Sequence, residues 1–178
     1  MAAETFLARQ SVGTLAPDYD RFISQLNANS VEFVVIGAHA LAFHGVLTTG
    51  DLDILIRPTE ANAEKFLLAL TDFGFPTAPL TPAKMTTPGQ IIEMGLPPVQ
   101  IHVMSQVDGV SWDEVWAGRQ TATLGSHSVA FIGRVEFLWR LQSRQVTHRQ
   151  PIPFVECDEV LELSIVHFLQ VDDDVHIL

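Results

Sequence analysis

Asp51 and Asp53 stand two residues apart in a run of 178 residues that reads, from position 33, Phe-Val-Val-Ile-Gly-Ala-His-Ala-Leu-Ala-Phe-His-Gly and then, from 51, Asp-Leu-Asp-Ile-Leu-Ile. Alternate side chains on a strand share a face, so the two carboxylates project together while Leu52 and Ile54 face the core. Carboxylates converging at one rim repel unless a cation or a proton lies between them. The pair therefore suits a divalent metal. Gly37 closes the preceding apolar run where a Cβ would obstruct a phosphate, and a helix opening near Ala38 would aim free N–H groups and its positive end there. The expected chemistry is an anion cradle beside a metal site.

The elements needed to position these residues can be read along the chain. Residues 17–28 open with Pro-Asp and space Tyr19, Phe22, Ile23 and Leu26 at helical intervals. A strand is expected over about 31–36, a helix from Ala38 to about His44 stopping at Gly45, and a second strand over about 51–57 ending at Pro58. Residues 59–73 begin with a Thr cap and end before Gly74, which predicts a helix. The Pro- and Thr-rich stretch 76–90 reads as a mobile loop. Two strands over 90–94 and 99–104, a short capped helix at 111–117, a hairpin within 121–132 and a helix over 134–144 complete the reading. The class is α/β (α+β), a mixed sheet with helices packed mainly on one face.

Composition narrows the function classes. The formal net charge is −11, with 10 basic against 21 acidic residues, so a broad footprint for duplex nucleic acid is not expected. Local basic character is concentrated at Arg134, Arg140, Arg144 and Arg149, which leaves room for a phosphate or a tRNA end. Apolar residues make up 47% and charged residues 17%, more apolar than a solitary domain needs. A homo-oligomer or a partner protein is therefore expected. No run is long enough to cross a membrane, and the N-terminus lacks a basic region followed by an apolar stretch. With one cysteine, Cys157, a reducing cytoplasmic setting is expected.

The pattern of apolar residue, Gly, small residue, about a dozen residues and Asp-x-Asp resembles the signature of the nucleotidyltransferase superfamily with the DNA polymerase beta fold. Residues 31–134 look more narrowly like small prokaryotic nucleotidyltransferase-like proteins near the AbiEii-type toxins. The cues are His-Ala-x-Ala-Phe-His-Gly before the aspartates, Gly-Leu-Pro-Pro-Val-Gln-Ile-His-Val at 95–103, and Asp-Gly-Val-Ser-Trp-Asp-Glu-Val-Trp-Ala-Gly-Arg at 108–119. The resemblance implies a minimal nucleotidyltransferase core over 31–139, preceded by a helical segment 1–30 and followed by a divergent tail 140–178 of the same domain. It implies transfer of a nucleoside monophosphate from an NTP to a hydroxyl acceptor, which could be a tRNA end, a protein or a small molecule, with Mg²⁺ or Mn²⁺ as cofactor. A toxin or antitoxin partner protein follows from the same resemblance. The alternative is a weak or inactive module of this fold that binds nucleotide or a partner protein.

The implied site assigns Asp51 and Asp53 to the metals and Gly37 and Ala38 to the β- and γ-phosphates. Relatives commonly carry Gly or Ser where Ala38 stands. They take a third carboxylate from a later strand, at the position filled here by His102. Imidazole binds Mn²⁺ or Zn²⁺ more readily than Mg²⁺, so His102 is either a metal ligand or a hydrogen-bonded strand histidine, and Glu93 is a nearby acidic substitute. Thr48 and Thr49 could meet phosphate or serve ordinary turn chemistry. His44, before Gly45, could face the nucleotide. His39 lies about 140° from it around a helix, so the two cannot share one face. Trp112 and Trp116 are expected in a core or an interface, and Arg57 as a solvated end-of-strand residue.

Overall fold

The computed structural model describes residues 15–43, 51–78, 80–96 and 98–136. Helix α1, Pro17–Ala28, carries Pro at its start and Asp18 and Asp20 in its first turn, where a fixed φ and negative charge both favour a helix N-terminus. It buries Tyr19, Phe22, Ile23 and Leu26, the face predicted from their spacing. Strand β1, Phe33–Ile36, is buried at all four positions. Helix α2, Gly37–Phe43, follows without a break, and strand β2 spans Leu52–Ile56.

Helix α3, Glu60–Phe73, is delimited as its sequence demands. The Thr59 side chain accepts from the Asn62 N–H, and Gly74 closes the other end at φ 89°, a left-handed conformation that favours glycine. The predicted loop over 76–90 is a correction. It contains a short helix, α4, Pro82–Thr86, with the Thr81 side chain accepting from the Lys84 N–H. The Thr-Pro pair taken as loop composition is a cap followed by a first-turn proline, and burial of Met85 at 2% exposure ties the turn to the core.

Strands β3, Ile91–Leu96, and β4, Val99–Met104, form an antiparallel pair. Helix α5, Trp112–Gly118, starts with a capping box in which Ser111 and Glu114 satisfy each other's backbone N–H. The hydrogen bonds from Ser111 hold the Glu114 carboxyl below its usual range. Strands β5, Gln120–Leu124, and β6, His127–Phe131, close a hairpin, with Gly125 at φ 60° in the connection. Only residues 134–136 of the predicted helix 134–144 are described, and they are helical.

The six strands form one mixed sheet in the order β3-β4-β2-β1-β6-β5. Antiparallel pairs β3/β4, β2/β1 and β6/β5 are joined through parallel pairings β4/β2 and β1/β6. The α+β class and the mixed sheet agree with the sequence reading. A single core cluster joins Phe22 and Leu26 of α1, Val34 and Ile36 of β1, Leu52 and Ile54 of β2, Phe66 and Leu70 of α3, and Phe131 of β6. Among the described residues, no helix is long and apolar enough to cross a membrane.

One buried polar side chain fastens α3 to the ends of β1 and β2. Asn62, 2% exposed, accepts from the Glu32 N–H at 2.8 Å and donates to the carbonyls of Glu32 at 3.0 Å and Arg57 at 3.2 Å. Asn62→Ala strands those partners inside the protein. The expected loss is about 1–3 kcal/mol, read as a lower urea midpoint with an unchanged denaturant slope.

Candidate functional site

The site is built at the sheet end where β1 finishes and β2 and β4 begin. Ile36, the last residue of β1, lies opposite Asp53 in the antiparallel register. Gly37 then turns at φ 66°. A Cβ placed there would overlap Asp53 Oδ2 and lie 2.8 Å from its Cγ. Both the backbone conformation and the lack of space therefore require glycine. The Asp53 carboxylate rests directly over the turn that leads into α2.

The other carboxylate oxygen is engaged across the sheet. Asp53 and His102 are register partners on the parallel strands β2 and β4, and His102 Nδ1 lies 3.1 Å from Asp53 Oδ1. Their side chains are 23% and 25% exposed, so the pair is partly shielded but reachable from solvent. Glu93, exposed on the edge strand β3, is the register partner of His102. Asp53, His102 and Glu93 thus form a row across three strands, and Asp51 lies half-buried two residues before Asp53.

A tyrosine from outside this segment reaches the same place. Tyr19 of α1 is 4% exposed, and its hydroxyl is buried without a hydrogen bond of ordinary geometry. Burial pushes the phenol pKa above its usual range, and the Asp51 carboxylate pushes it further. The backbones of Gln100 and Leu52 partly offset this, and Asp53 adds a smaller upward contribution. The ring meets His39 of α2 edge-on at 5.7 Å between centroids. Spacing identified Tyr19 only as a core position. The available signal was a hydroxyl on an otherwise apolar helical face.

Helix α1 is held in this position at two points. Asp20 Oδ1 lies 3.1 Å from His127 Nε2 and accepts from the Ser126 hydroxyl at 3.3 Å, pinning the helix to the β5–β6 turn. The Arg21 guanidinium donates to the Phe73 carbonyl at the end of α3.

The other predicted residues distribute as follows. Ala38 lies in the first turn of α2, beside Gly37. His44, Thr48, Thr49 and Cys157 lie outside the described residues, as do Arg140, Arg144 and Arg149. Arg57 pairs with Glu32 at 2.9 Å at the far end of β2. Trp112 and Trp116 stack at 5.2 Å between centroids, half-buried against the core, with the Arg119 guanidinium over Trp116. Two clefts, of about 300 and 430 Å³, are lined by residues including Leu55, Pro88, Met104 and Trp112. They lie beyond the C-terminal ends of β2 and β4, away from Asp51 and Asp53.

The donor set can be tested against a divalent cation. Asp53 on β2 and Asp51 just before that strand would supply oxygen donors, as a hard cation requires. His102 is seated on Asp53, in the place of a group that orients a ligating carboxylate. Among the described residues, no three His, Cys, Asp or Glu side chains are gathered closely enough to hold a metal. The fit is therefore to the two carboxylates, with His102 behind one of them.

The chain matches no protein-family profile and no curated protein at a significant level. It does share its fold with a solved Thermotoga maritima protein described, provisionally, as a nucleotidyltransferase. The TM-score is 0.52 at 14% identity, over 76% of this chain and 91% of that one. At that identity the likeness is one of architecture. It places the sheet described above in a nucleotidyltransferase-like fold.

Gly37→Ala tests the close approach directly. A Cβ at positive φ costs about 1–2 kcal/mol in itself, and here it must also displace Asp53. Gly89→Ala is the control, since Gly89 has a similar φ of 77° and open space around its missing Cβ. Thermal unfolding is expected to show a clearly larger loss for Gly37→Ala.

Proposed function

We propose that this protein is a metal-dependent nucleotidyltransferase that moves a nucleoside monophosphate from an NTP to a hydroxyl acceptor, with release of pyrophosphate. The observation that carries the reading is the seating of the Asp53 carboxylate over the Gly37 turn, with Asp51 beside it. Phosphoryl chemistry asks a protein mainly to position charge. This corner has two carboxylates and a glycine turn together. The fold shared with the Thermotoga maritima protein supports the assignment.

Asp51 and Asp53 would hold the cation, Mg²⁺ or Mn²⁺, with His102 fixing the Asp53 carboxylate. When bound, such a cation neutralises phosphate charge and lowers the pKa of an attacking hydroxyl. Gly37 and Ala38 are assigned to the β- and γ-phosphates, and His44, Thr48 and Thr49 to the nucleotide, on the strength of the sequence resemblance. The acceptor is a tRNA end, a protein side chain or a small molecule. A toxin–antitoxin or phage-defence role, with a partner protein, belongs to the same resemblance.

A second reading is favoured by one specific observation. Asp53 Oδ1 is already engaged by His102, where a third carboxylate would otherwise sit. A protein so arranged could bind a nucleotide without turning it over. The two readings differ in product: labelled NTP, cation and cell lysate give pyrophosphate and a labelled acceptor in the first, and retained NTP in the second.

Asp53→Asn removes one anionic donor at constant size. Metal-dependent binding of a non-hydrolysable NTP is expected to weaken on the order of tenfold or more, read by calorimetry. His102→Asp sets two carboxylates side by side, which demands a cation between them. Transfer with Mg²⁺ is expected to rise relative to Mn²⁺. Unchanged NTP binding in Asp53→Asn would leave the aspartate pair as a solubility feature of the strand.

A further inference from the structure

We infer that the outer edge of β3 is a docking site for an extended segment of a partner protein, which adds to the sheet as a further strand with an apolar side chain at the cleft beside Ile91 and a basic one opposite Glu93. The inference stands apart from the nucleotide chemistry proposed above, since it uses neither Asp51 nor Asp53.

Strand β3 lies at one edge of the sheet, and among the described residues it pairs with β4 alone. Alternate N–H and C=O groups of an edge strand point outward and can template another strand. The two edges differ in what they show to solvent. Strand β5 exposes Gln120, Thr121 and Thr123, whereas β3 exposes Ile91 at 57%. Gly95, at φ 87°, bends the end of β3, so the straight part open to pairing is Ile91–Met94.

The side chains of that part define what it accepts. Ile92 and Met94 share one face of β3, and Ile91 and Glu93 project together from the other. A strand laid beside β3 sets one residue next to Ile91 and, two positions away, another next to Glu93. Ile91 lines a cleft of about 430 Å³ with Pro88, Met104, Val107 and Asp108. Ile91 and Met104 are register partners, so the cleft lies on the face that Ile91 and Glu93 share. It can receive the first of the two side chains.

Charge selects the occupant. Glu93 and Asp108 are exposed, and neither β3 nor the lining of this cleft contains Lys or Arg. A second copy would bring the acidic edge against its own image, in a chain of net charge −11. A charge on an edge strand guards against such self-pairing. The same carboxylate favours an opposite charge directly across the strands. Main-chain hydrogen bonds would hold the segment, and the two side-chain positions would select it.

The probe is the blocked, fluorescein-labelled peptide Thr-Val-Lys-Val-Leu-Thr. In the antiparallel sense, the more stable one, it sets its lysine beside Glu93 and its leucine beside Ile91. Fluorescence anisotropy is expected to show binding, with slowed amide hydrogen exchange over 91–94. The same peptide with N-methyl groups on the alternate amides that face β3 keeps its side chains and is expected not to bind. Glu93→Lys, at an exposed position, is expected to weaken binding about three- to fivefold and to prefer the peptide with glutamate in place of lysine. That gain within one variant separates a charge effect from misfolding. No binding by the native protein up to about 1 mM peptide, equal binding of the N-methylated peptide, or an unchanged peptide preference in Glu93→Lys each overturns the inference. So does a concentration-dependent dimer of the native protein with protected β3 amides, because the edge then belongs to a second copy.

Discussion

The seating of β2 between β1 and β4 governs the site. Asp53 is opposite Ile36 on one side and beside His102 on the other, and those two registers place one carboxylate oxygen over Gly37 and the other on the imidazole. A slip of one residue would send Asp53 to the opposite face and bring an apolar side chain to the rim. The register is secured by burial. Leu52 and Ile54 are fully buried on one face of β2, and Leu55 is 1% exposed on the other. A slip would force a carboxylate into the core without a partner, which is among the costlier changes a sheet can suffer.

Much of this was legible in the residues because the governing physics is local. The Thr59 cap and Gly74 bounded α3, and helical spacing marked the buried side of α1, while the strand expected to carry both aspartates begins at Leu52, one residue after Asp51. Gly37 was identified from its place between a strand and a helix, and the structure adds the reason, a carboxylate occupying the space of a Cβ. The short helix α4 was missed because Thr81 and Pro82 carry the same composition in a cap as in a loop. Tyr19 and the Asp20–His127 contact were hidden for another reason: they join residues far apart in the chain, and no periodicity within α1 encodes what its hydroxyl faces.

The sheet also separates two kinds of surface. At the end where β1 finishes and β2 begins, the groups are carboxylate, imidazole and phenol. At the opposite end, Arg57 is paired with Glu32, and the cleft near Trp112 is mainly apolar. On the edge strand β3, Ile91 and Leu96 are 57% and 81% exposed. The apolar surplus of the composition is thus partly displayed at an edge, while Asp53 and His102 meet on the inner strands β2 and β4.

The mixed topology bears on how the site comes into being during folding. The antiparallel pairs β3/β4 and β5/β6 join neighbouring segments and can form with little loss of chain entropy. The parallel pairing of β2 with β4 brings together Asp53 and His102, which are 49 residues apart. Closing that longer loop costs more entropy and favours a later step. A chain with its hairpins made but this pairing still open would have much of its secondary structure and no site. The candidate site therefore depends on a contact far less local than the hairpins, so a substitution that slows β2–β4 docking delays the site more than it delays the appearance of structure.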